Sequence, residues 1–285
     1  MEKKRYEIKP RDRFNSVTDK KYRMNSLLIK QLDIFVNFVE YDSDVVLLID
    51  GEIEGSGKST LAQQVGYYFS NKTKQPFGIE QIVFTPKQFK DAVMSAPRFS
   101  CVVWDEAYAG ANKFRIMAAI NQTIISTVQQ IRQRNLFIIL VLPSFFDLTK
   151  YFAVRRSWCL LHCYLQPQID IHSDDKLDFN KPVLQRGYFK YFSRPAKKRL
   201  YNKGKKDEDY DLVKPNFVGM FPADYTVPED LYKAKKAEID TEQEKMSERT
   251  FIEECLHRGM EIPTLQRYTS YAREYLYQIR RKLGL

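Results

Sequence analysis

The sequence predicts an α/β protein: a mainly parallel, five-stranded sheet flanked by helices, then a basic C-terminal appendage of a β-hairpin and small helices. Three observations predict it. Apolar runs alternate with stretches of helical periodicity between residues 45 and 165. The runs are apolar throughout rather than every second residue, the pattern of strands covered on both faces. A glycine-rich turn joins the first run to a helix.

The elements follow in order. Residues 1–22 are polar. Residues 25–40 place Leu28, Leu32, Phe35, Val36 and Val39 at helical spacing. Residues 45–49 are a buried strand and 58–70 a helix; 81–85 are a short strand. Pro86 suits the first turn of a helix that runs to about residue 95. Residues 100–104 are a strand. Residues 112–134 contain no glycine and no proline, and read as one long helix with Asn112 as its cap. A strand at 136–142, a helix at 145–154 and a strand at 158–165 complete the core. Beyond it, 187–193 reads as a strand and 194–245 as a Lys-, Asp- and Tyr-rich linker with loops at Pro215, Pro222 and Pro228. Two helices, 248–259 and 270–283, close the chain around a turn at Ile262-Pro263-Thr264. This divides the chain into a basic tail and amphipathic helix (1–40), a core (41–166), a basic hairpin and linker (167–245) and a helical unit (246–285).

Charge narrows the partners. The net charge is +10. Its excess sits in the flanks, while residues 41–180 balance. Residues 186–206 hold nine Lys/Arg and no acid before Asp207, with Tyr188, Phe189, Tyr191, Phe192 and Tyr201 among them. Cations and aromatic faces suit phosphate backbone and stacked bases, so DNA contact is expected here. The longest apolar runs fall far short of the roughly 18 residues a membrane span needs. The N-terminus has no apolar signal region, and four cysteines are too few for a disulfide framework, so a reducing cytoplasm is the expected setting. Cys159, His162 and Cys163 do not share one strand face, and buried thiols are expected rather than a metal site.

The segment Asp50-Gly51-Glu52-Ile53-Glu54-Gly55-Ser56-Gly57-Lys58-Ser59-Thr60 carries the chemistry. Gly55 and Gly57 let the backbone aim N–H groups at phosphate, and the helix N-terminus adds positive partial charge. Residues 54–60 (Glu54, Gly55, Ser56, Gly57, Lys58, Ser59, Thr60) are therefore the expected ATP cradle. Lys58 reaches the outer phosphates and Ser59 offers its hydroxyl to Mg2+. Glu52 stands where the first glycine of such loops usually lies. The strand at 100–104 runs into Asp105 and Glu106. Asp105, on a strand set beside that of the phosphate loop, is expected in the Mg2+ shell. Glu106 is expected to polarise an attacking water. Ser144, after the strand at 136–142, is a candidate γ-phosphate sensor.

Together, GSGKST and VVWDEA resemble the additional-strand, catalytic-glutamate (ASCE) class of P-loop ATPases over residues 40–165. Within that class the chain is similar to HerA/FtsK-type DNA-translocating motors and to phage Zot-like and genome-packaging ATPases. The resemblance implies a strand inserted between those bearing the phosphate loop and the acids. It also implies a homo-oligomeric ring, such as a pentamer or hexamer, that moves DNA in a viral or mobile-element setting with partner proteins of that system. An arginine of one subunit would reach its neighbour's nucleotide, the candidates being Arg155 and Arg156, or Arg132 and Arg134. The terminal helices, with Arg267, Arg273, Arg280, Arg281 and Lys282, are a second candidate DNA contact. Two other readings stand beside this one. IDGEIEGSGKST is also similar to nucleotide monophosphate kinases, and an ATP-switched scaffold or assembly factor needs the same loop.

Overall fold

The computed structural model describes residues 13–15, 21–51, 53–105, 127, 131, 134–168, 183–257, 259–266, 269 and 271–285. These fall into two compact units, one taking the described residues up to Tyr232, the other those from Lys233 onward.

The first unit is built on one seven-stranded sheet. Its strands are β3 (Val45–Gly51), β4 (Ile82–Val83), β5 (Cys101–Asp105), β6 (Phe137–Val141), β7 (Cys159–Gln168), β8 (Val183–Ser193) and β9 (Phe217–Met220). A separate hairpin pairs β1 (Arg13–Asn15) with β2 (Lys21–Arg23). The large sheet runs in the order β4-β5-β6-β3-β7-β8-β9. The five strands from β4 to β7 are parallel, as the apolar runs predict. β8 and β9 then continue it antiparallel. The sheet therefore has seven strands where five were expected. The reason lies in Phe189, Tyr191 and Phe192, which are buried on joining β7 instead of standing free for bases.

β5 does not lie directly beside β3: β6 runs between them, the inserted strand that the resemblance implies. The register still keeps the two ends level: Asp105 pairs with Val141, and Val141 with Ile49. The acid strand and the phosphate-loop strand thus open at the same sheet edge.

Helices cover the sheet. α1 (Ser26–Glu40) starts at Asn25, whose side chain accepts from the N–H groups of Leu27 and Leu28 at 3.0 and 3.1 Å. It buries Leu28, Ile29, Leu32, Phe35, Val36 and Val39, one helical stripe. α2 (Lys58–Thr73) follows the phosphate loop, and its Phe69 stacks on Phe137 of β6 at 4.0 Å. α3 (Pro86–Ser95) is capped by Thr85, and its Phe89 stacks on Trp104 at 4.5 Å. The long helix expected over 112–134 lies outside the described residues, except that Thr127, Ile131 and Arg134 are helical.

Two local expectations change. Residues 145–154 form no single helix: a 3-10 turn (Phe145–Asp147) precedes a π-helical turn (Tyr151–Arg156). Residues 194–204, part of the expected linker with no element assigned, form α4 (Arg194–Gly204). Its buried side is Ala196, Lys197, Leu200, Tyr201 and Gly204, a helical stripe hidden in the sequence because one member is a lysine. Lys197 is 0% exposed and donates to the carbonyl of Ala153 and, at 2.7 Å, to Ser157 Oγ. It gives the Ala153 carbonyl of the π turn a charged donor.

The helix expected over 248–259 is longer than that: α5 (Glu229–His257) begins right after Pro228. In the second unit, its end packs with α6 (Ile262–Leu265) and α7 (Arg273–Lys282) around Ile252, Leu256, Ile262, Leu265, Leu276 and Ile279. Among the described residues, no helix is long and apolar enough to cross a membrane.

Candidate functional site

The loop between β3 and α2 has the backbone its glycines predict. Gly55 and Gly57 have φ of 79° and 96°, a region that side chains rarely adopt. At Gly57 a Cβ would also lie 2.8 Å from the ring of Phe221. The N–H of Ser56 turns back to the carbonyl of Ile53 at 3.3 Å. Lys58 opens α2, and its ammonium donates to the same carbonyl at 3.3 Å. Glu54 is exposed, Thr60 is buried in the first turn of α2, and the buried Ser56 hydroxyl has no hydrogen-bond partner.

The decisive contact joins loop to sheet. Ser59 Oγ donates to Asp105 Oδ1 at 3.1 Å. Asp105 is 2% exposed, and its second oxygen accepts from the Tyr232 hydroxyl at 2.5 Å. Burial and the neighbouring Asp105 carboxylate push the Tyr232 phenol upward, so it stays a proton donor. Ser59 and Asp105, paired in the sequence reading, are thus brought together. Glu106, the expected water-polarising base, lies outside the described residues, as do Glu52 and Arg132.

A second carboxylate stands at the base of the loop. Asp50, fully buried at the end of β3, accepts from the Tyr210 hydroxyl at 2.5 Å and from the Phe145 N–H at 2.9 Å. His162 Nδ1 lies 2.9 Å from its other oxygen, and the Tyr210 ring stacks on His162 at 3.8 Å. Ser144, the sensor candidate, lies beside this group, with Oγ 3.4 Å from Glu208 Oε2. Burial raises the Cys163 thiol beyond the usual range and pushes Cys159 up to about 12, in keeping with core thiols. Among the described residues, no three His, Cys, Asp or Glu side chains converge on a metal position.

The arginines divide. Arg155 and Arg156 precede β7, and Arg134 precedes β6, so all three sit at the sheet edge opposite the phosphate loop. Arg156 forms a buried ion pair with Asp44 and is lowered to about 10 by burial. That commitment argues against its expected role as a finger. Arg134 donates to the Ala96 carbonyl at 2.9 Å, while Arg155 is exposed. Arg186, which the sequence reading placed only in the basic stretch, stands over the phosphate loop. A Cβ at Gly55 would lie 3.4 Å from its Nη2 and 3.6 Å from its Cζ.

The basic stretch does not lie on one exposed face. Lys197 is core, Tyr191 and Tyr201 are buried, and Lys190 pairs with Asp211 at 2.7 Å. Its exposed cations on α4 instead join the π turn around a groove of about 960 Å³, which Lys150, Arg155, Arg194 and Lys198 line without an acid.

Asp50, Tyr210, Tyr232 and Arg186 were missed as site residues. Asp50 had a signal in the sequence, being a carboxylate inside the apolar strand before the glycines. The other three come from beyond residue 166 and carry no motif. No protein-family model matches the chain, and no curated protein matches it by sequence.

Proposed function

We propose that the chain is a magnesium-dependent ATPase of the P-loop, ASCE class. The observation that carries this reading is the Ser59–Asp105 contact, made from a left-handed glycine loop across an inserted strand. A hydroxyl at a helix N-terminus and a carboxylate at a strand end, 3.1 Å apart, match the donor set of a magnesium ion that completes its shell with phosphate and water. The fit extends to the loop, whose Gly55 and Gly57 take the left-handed backbone of a turn that leads phosphate to a helix N-terminus. Magnesium, when bound with ATP, supplies positive charge against the transferring phosphoryl group. Lys58 adds an ammonium at the same end of α2. Asp105 holds its place because Tyr232 fixes one oxygen, and Glu106, the next residue, takes the role of polarising water.

Coupling of this hydrolysis to DNA movement, in an oligomeric ring, rests on the groove beside α4. Four cations without an acid suit a phosphate backbone. The groove lies before the N-terminal ends of the parallel strands, apart from the nucleotide loop.

Phosphate release, with and without DNA, tests the reading. Lys58→Ala is expected to abolish turnover and weaken ATP binding. Glu106→Gln is expected to hold ATP and stop hydrolysis. Hydrolysis by Glu106→Gln at the parent rate would remove Glu106 from its role, and ATP binding undiminished in Lys58→Ala would sink the phosphate-loop assignment. Turnover only with a nucleoside monophosphate would make the chain a kinase.

A further inference from the structure

β7 and β8 run past the end of β3. Gly51, the last residue of β3, pairs with Cys163, and β7 continues to Gln168. In this overhang the ladder slips: Tyr164 pairs with Tyr188, and Gln166 with Gln185. Arg186 and Gly187 together oppose Leu165 alone, which is a β-bulge. Gly187 takes φ of 93°, and a Cβ there would lie 2.5 Å from the Phe221 carbonyl. Its own carbonyl accepts from the Phe221 N–H at 2.8 Å. The bulge is therefore held by backbone on one side and by glycine on the other.

Bulges re-aim side chains, and this one directs Arg186 toward the phosphate loop. Its guanidinium stands over Gly55, with Nη2, Cζ and Nη1 at 3.4, 3.6 and 3.9 Å from a Cβ built there. Arg186 is exposed, and among the described residues no carboxylate or carbonyl binds it. A planar fork of donors with no partner among the described residues, held over a left-handed glycine loop at the N-terminus of α2, matches a phosphate oxygen pair.

We infer that Arg186 binds a phosphate of the nucleotide held by its own chain, supplying in cis the cation that the resemblance assigns to a neighbouring subunit. This rests on the phosphate-loop reading. It makes the β7–β8 overhang part of the nucleotide site rather than of a DNA-binding appendage.

Calorimetric titration with magnesium-ATP tests it in the full chain. The parent must bind, and Lys58→Ala must bind weakly; failure there overturns the phosphate-loop reading itself. Given that, Arg186→Ala is expected to bind roughly 10- to 100-fold more weakly, the scale of a lost charged hydrogen-bonding pair. Arg186→Lys should recover only part of the loss, because an ammonium lacks the fork. Added guanidinium ion should restore part of the turnover of Arg186→Ala, an effect that a structural role would not produce. Should Arg186→Ala melt early, Arg186→Gln keeps most of the stem and is titrated instead. Parent-like affinity in a folded Arg186 variant overturns the inference while leaving the loop assignment intact. Mixing Arg186→Ala with Lys58→Ala subunits decides between cis and trans. Turnover should stay low if Arg186 serves its own loop, and restored turnover overturns the cis assignment.

Discussion

Two buried side chains show how position decides what a residue does. Tyr232 donates to a carboxylate that is 2% exposed, so replacing it with Phe leaves an acceptor oxygen in the interior without its donor. Tyr232→Phe is expected to lower stability by about 1 to 3 kcal/mol in the absence of nucleotide. The loss should shrink with magnesium-ATP present, because the ion then engages Asp105. Thermal melts of both proteins, with and without magnesium-ATP, check this; an equal loss in both conditions would separate Asp105 from the metal. Lys197 is the opposite case, a cation that burial makes costly. Desolvation lowers it to about 7 in the folded chain, against 10.5 ordinarily. Between these values the unfolded chain holds a proton that the folded chain has released. Stability from this group therefore rises with pH across about 7 to 10.5 and is flat below. Lys197→Met should remove that rise, seen as a difference in Tm between the two proteins that narrows steadily from pH 7 to pH 10.

At the scale of elements, the phosphate loop and the β8 bulge depend on the same segment. Phe221 packs its ring on Gly57 and its carbonyl against Gly187, and Gln64 of α2 donates to the carbonyls of Pro222 and Asp224 at 2.8 and 2.9 Å. The stretch after β9 is thereby tied to α2. Gly187→Ala should cost at least about 1 to 2 kcal/mol, the penalty of a left-handed backbone before the contact with Phe221 is counted. A lower midpoint in urea is the readout. Because the bulge aims Arg186, nucleotide affinity should fall as well.

At the scale of the molecule, nucleotide and DNA are proposed to act at opposite edges of one sheet. The DNA side is read from salt dependence. Each duplex phosphate neutralised contributes a slope of about −0.9 in log affinity against log salt. Replacing Lys150 and Lys198 with Ala should flatten the slope by roughly 1 to 2 units and weaken all sequences alike. ATP turnover without DNA should not change. Fluorescence anisotropy across a salt series gives the answer, and an unchanged slope moves the DNA contact to the second unit, where Arg273, Arg280, Arg281 and Lys282 are exposed.

The parallel sheet, helices α1 to α3 and the loop from Gly55 to Ser59 were determined by the sequence alone. Each is encoded locally, in apolar runs, helical stripes, caps and glycines whose backbone no other residue adopts readily. The strand order, the pairing of Ser59 with Asp105, and the places of Tyr232, Asp50 and Arg186 were decided only in the tertiary structure. These residues meet across 46 to 160 positions of chain. Charge pattern says least about position at residues 186–206, because a side chain's charge does not reveal which face of the element carries it. Burial against the π turn takes Lys197 out of solvent, and one extra residue in β8 turns Arg186 toward the phosphate loop.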